Sequence, residues 1–141
     1  MRIAVTIARY LLAVVFLAFG LNGFLHFIPM PPPTGLALQF FIAVSASHFM
    51  AVVFAVEVVG GALLLINRFV PLALTILSAV IFNILVFHIT MEPSGLPLAL
   101  FVTALWLLVA ASVRSAFSGI LQHRVEPEFA QAPARRRAIE A

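Results

Sequence analysis

The sequence predicts an all-α integral membrane four-helix bundle, and three observations carry that expectation. Hydrophobic residues make up 64% of the 141 and charged residues only 9%, with mean hydropathy +1.19. A soluble domain is about half apolar and a quarter charged, so this chain has too little polar surface to coat a globule in water. Four apolar segments are long enough to cross a hydrocarbon core, which takes roughly 20 residues at about 1.5 Å each. The basic residues, eight arginines and no lysine, all fall toward one side of these spans.

The spans are read in order at about 3–27, 47–66, 69–89 and 96–117, within one membrane domain, 1–121. The first, "IAVTIARYLLAVVFLAFGLNGFLHF", stays apolar to Ile28 without a small-x-small cleavage site, so it reads as a retained helix rather than a signal peptide. The run "IPMPPPTG" then ends it, because proline lacks the amide hydrogen a helix needs. The next stretch, "LALQFFIAVSA", is too short to cross and is expected to lie in the interface or dip in as a re-entrant piece. The second span stops at Asn67 and Arg68, and the third begins at Phe69, which makes a tight helical hairpin. After the fourth comes a polar tail, 122–141, predicted to be disordered.

Orientation follows from the arginines. Arg2, Arg9, Arg68 and Arg114 onward all fall on one side, and 28–46 and 90–96 hold none. The positive-inside rule puts that side, with both termini, in the cytoplasm. The net charge of +3 is no signal for nucleic acid, since only Arg135–Arg137 form a run and that suits lipid headgroups. Without cysteine, disulfides, thiolate metal sites and CxxC redox chemistry are excluded in this chain. No P-loop, GxSxG, HExxH or GxGxxG motif occurs.

Candidate sites are the polar residues inside this apolar frame. Glu57 falls near mid-membrane, where a carboxylate costs a few kcal/mol, so it is expected to face the bundle interior with a partner or as the neutral acid. Gly60 and Gly61 follow one turn on, leaving room for another helix. Asn22 and Asn83 lie at an intermediate depth and are grouped with Glu57 as candidate ligand-binding residues, or as interhelical hydrogen-bonders. His26, His48, His88 and Glu92 fall at the outer level as a candidate polar cluster. If they converge, they suit a metal with N/O ligands or the axial ligation of a haem. Helical phase separates the two levels: His48 and Glu57, nine apart, lie about 180° around an ideal helix. Trp106 lies too deep for an interfacial belt.

Three stretches together resemble the DoxX-like family of small four-helix bacterial membrane proteins. They are "AFGLNGFLHF", "EVVGGALLLINRFVPLAL" and "NILVFHITMEPSGLPLAL", and the resemblance covers roughly residues 3–121. It implies a multi-pass protein of the bacterial inner membrane. Some relatives are subunits of thiosulfate:quinone oxidoreductase, and others are linked to redox or oxidative-stress complexes. The expected function is a scaffold or partner subunit of a redox-associated membrane complex, with other membrane or periplasmic redox proteins as partners, and with a small-molecule pocket around Glu57. A quinone-interacting oxidoreductase subunit is the first alternative, with quinone as ligand, and an oligomeric small transporter or channel is the second.

Overall fold

The computed structural model describes residues 2–120 and 123. The described residues form five α-helices and two short 3-10 turns, with no strand. They are α1 (Arg2–Leu25), α2 (Gly35–Ala46), α3 (Phe49–Leu65), α4 (Val70–Thr90) and α5 (Leu96–Ser112), with the turns at Pro93–Gly95 and Arg114–Phe117. Three segments are long and apolar enough to cross a membrane: Arg2–Leu25, Val70–Thr90 and Pro93–Ser112. A fourth is added if α2 and α3, bent by 86° at their junction, count as one span. The 17 residues of α3 rise about 25 Å, a little less than a typical hydrocarbon core. The tail expected over 122–141 lies outside the described residues, His123 excepted.

Local chemistry explains where the helices stop. His26 adopts a left-handed backbone (φ 52°) and its N–H closes the last turn of α1 on Asn22 O at 2.9 Å, ahead of the prolines. The short apolar stretch after them becomes α2, and the chain then turns at Ser47–His48, with His48 also left-handed (φ 57°). The hairpin between α3 and α4 uses Asn67 and Phe69 in the same region of backbone space. Pro71 and Pro97 sit in the first turns of α4 and α5, where the missing amide hydrogen breaks no helical bond.

Four helices close into a ring: α1 packs against α3 and α5, α3 against α4, and α4 against α5, while α2 leans on α3. Leu12 and Phe16 of α1, Leu64 of α3, Leu74 and Leu77 of α4, and Val109 of α5 fill its middle. The α1–α3 contact is the closest, because glycine replaces side chains on both surfaces. A Cβ at Gly61 would stand 3.0 Å from Ala13 O and from the Leu17 N, so the two backbones nearly touch there. Large apolar side chains such as Val14, Phe82, Phe101 and Leu107 point outward on the long helices, a surface suited to lipid rather than water.

Candidate functional site

Glu57 lies on the α1 side of α3, only 6% exposed, and its Oε2 is buried with no hydrogen-bond partner among the described residues. Its neighbour across the interface is Gly20, where a Cβ would come within 2.9 Å of the Glu57 Cβ and 3.0 Å of Phe54 O. A larger residue at that place would separate the helices, so the glycine is what admits the carboxyl into the α1–α3 seam. An apolar seam gives a carboxyl group nothing to exchange with. It is a place where one proton or one hydrogen bond can be offered to a third party.

Phe54 precedes Glu57 by three residues and shares its face of α3. Its ring lies against Gly23 and meets Phe24 edge-on, with centroids 5.9 Å apart. Above that ring opens a cleft of about 530 Å³, formed by the end of α1, the proline loop, the α2–α3 junction and the start of α3. Asn22, His26, Met30, His48, Met50 and Phe54 are among its lining residues. Asn22 shapes the rim with its amide: Ile28 N–H donates to Asn22 Oδ1 at 2.6 Å, and Asn22 Nδ2 donates to Ile28 O at 3.3 Å. The loop after α1 is thereby clipped to the helix it leaves. Asn22 is buried and close in sequence to the Gly20–Glu57 contact, yet its polar atoms serve the loop.

The outer cluster divides into two groups. His26 and His48 share the cleft, and both carry the uncommon left-handed backbone. His88 stands elsewhere, its Nδ1 2.8 Å from Glu92 O and its ring packed on Gly95. The Glu92 carboxylate accepts from Ser94 Oγ at 2.7 Å. The division has a structural cause in α2. Phe41 lines the cleft and meets Phe87 edge-on, Phe87 adjoins His88, and Phe40 lies against the same ring. Among the described residues no three of His, Cys, Asp or Glu are placed together to hold a metal, so the single metal site weighed for the four outer residues is not assembled.

Asn83 does not join Glu57. It is exposed on α4, and its Nδ2 donates to Ala79 O of its own helix at 2.8 Å. Of the three inner candidates, then, Glu57 and Asn22 lie along the α1–α3 contact and Asn83 faces away from the ring.

The chain matches no family model, no curated protein and no solved structure.

Two polar contacts escape a reading of spans and signs. Arg9, only 8% exposed, donates from Nη1 to Leu64 O and, at 3.4 Å, to Leu65 O. Those carbonyls end α3, where Leu64 O takes only the turn hydrogen bond from Asn67 N–H at 3.2 Å, so the cation from α1 caps α3 and meets the negative end of its dipole. Its guanidinium also lies 4.3 Å from the Tyr10 ring centroid. The available signal was depth: Arg9 stands seven residues inside an apolar helix, beyond what loop-flanking charge requires. Trp106 Nε1 of α5 donates to Leu74 O of α4 at 2.9 Å, tying those two helices together.

Proposed function

We propose that this chain is a four-helix protein of the bacterial inner membrane, with both ends on the arginine-rich cytoplasmic side. In this reading it serves as a partner subunit of a redox-associated membrane complex and holds a small molecule of the quinone class at Glu57. One observation carries the pocket: a carboxyl oxygen buried without a partner among the described residues in the α1–α3 seam, one helical turn below an open cleft. A quinone carbonyl is an acceptor that takes up protons as it takes up electrons, so its site needs a titratable group in apolar surroundings. Glu57 supplies that group, and the electrons come from the partner complex. The redox setting rests on the resemblance of "AFGLNGFLHF", "EVVGGALLLINRFVPLAL" and "NILVFHITMEPSGLPLAL" to DoxX-like proteins.

Membranes carrying the protein with its partners test the mechanism. Glu57→Gln keeps the shape and a hydrogen-bond donor but cannot pass a proton. It is expected to abolish quinone-dependent turnover while the protein accumulates at the wild-type level. Full turnover in Glu57→Gln would reject proton transfer at Glu57 and leave a purely architectural subunit.

A further inference from the structure

Asn83 stands where a lipid-facing helix least tolerates a spare amide. It lies three residues past the midpoint of α4, roughly 5 Å along the axis from mid-span. The outward hydroxyls Thr6, Thr75 and Thr90 each spend their single hydrogen on a carbonyl of their own helix. Asn83 gives one amide hydrogen to Ala79 O in the same way. Its second N–H and its Oδ1 have no partner among the described residues, and hydrocarbon offers none.

We infer that this face of α4 is covered by the same face of a second copy of the chain. A carboxamide is its own complement. Across a two-fold axis along the membrane normal, Oδ1 of one Asn83 accepts from Nδ2 of the other, and the reverse. The surroundings fit a parallel helix pair. Leu72, Ala79, Asn83, Val86 and Thr90 point outward and, with half-buried Ile76, follow one another at alternating spacings of four and three, the repeat of left-handed pairing, so Asn83 lies in the seam itself. Any outward helix face repeats in this manner, but here small Ala79 stands one turn from Asn83 and lets the backbones approach. The face bears no charge, so nothing on it selects an ionic partner. By contrast, Leu100, Phe101, Leu107 and Leu108 on the outer surface of α5 are large, apolar and need no hydrogen bond.

The chain has no cysteine, so single-cysteine cross-linking is unambiguous. Full-length Ala79→Cys and Val86→Cys variants, oxidised in native membranes, are expected to give a disulfide-linked species of twice the monomer mass. Leu107→Cys is expected to stay monomeric. Adding Asn83→Leu should strongly reduce the cross-link, and it should weaken dimerisation in nanodiscs about tenfold, the scale of an interhelical hydrogen bond between polar side chains. Asn83 is outward, so this variant is expected to keep the monomer's thermal unfolding midpoint. Equal cross-linking through Leu107→Cys, a product of another mass, no product at all, or indifference to Asn83→Leu would each overturn the inference.

Discussion

Gly20 of α1 and Glu57 of α3 are in contact across the closest helix pair of the protein, with 2.9 Å between the Glu57 Cβ and where a Gly20 Cβ would stand. Phe54 O at 3.0 Å is backbone and cannot swing aside. Gly20→Ala gains about 1 kcal/mol of helix propensity and loses about 1–3 kcal/mol to overpacking. The expected result is a net loss of stability, read as a lower thermal midpoint in detergent. Gly119→Ala, where nothing lies within 4 Å, is the control and should be near neutral.

Arg9 predicts a second effect at the C-terminal end of α3. Arg9→Met keeps much of the stem's packing but removes the charged donor to Leu64 O and Leu65 O, leaving Leu64 O only the Asn67 N–H. A loss of about 1–3 kcal/mol is expected from a hydrogen bond to a charged group in buried surroundings, with Arg9→Lys in between. Reversible denaturant unfolding in mixed micelles measures it. An Arg9→Met protein as stable as wild type would show that the cap is dispensable.

The His88 ring fills the space that a Cβ on Gly95 would occupy. Gly95→Ala is therefore expected to destabilise the turn after α4 by about 1–3 kcal/mol in the wild-type background. In His88→Ala the clash is gone, and the same substitution should cost far less. The double-mutant cycle should give a coupling of at least about 0.5 kcal/mol. Strict additivity would mean that the ring lies elsewhere.

Trp106 supplies a fourth local test. Trp106→Phe retains an aromatic body and removes only the Nε1–H donated to Leu74 O. The expected cost is about 0.5–1.5 kcal/mol, and hydrogen exchange around Leu74 should quicken if the bond braces α4 against α5.

What the sequence made legible was local. Expected spans at about 3–27 and 69–89 stand beside α1 at Arg2–Leu25 and α4 at Val70–Thr90, because apolar runs and prolines act on their own segment. The piece too short to cross became α2, folded 86° from α3. The burial of Glu57 followed from the cost of a charge in hydrocarbon. Direction and partnership were not legible. Asn83 turns outward because the phase of α4 is set by Leu74, Leu77 and Ile81 packing inward, which the apolar residues all around that helix conceal. Arg9 meets a carbonyl 55 residues away, a pairing that no spacing in the chain announces. The outer histidines part company because Phe40 and Phe41 of α2 pack on Phe87, a tertiary contact.

The most direct test of Glu57 as a ligand site is the quinone content of protein purified in mild detergent, wild type beside Glu57→Leu and Glu57→Gln. The account predicts stoichiometric quinone in the wild type and in Glu57→Gln, whose amide still donates, and none in a folded Glu57→Leu. A wild-type protein free of quinone in quinone-replete membranes, or equal quinone in Glu57→Leu, would contradict it.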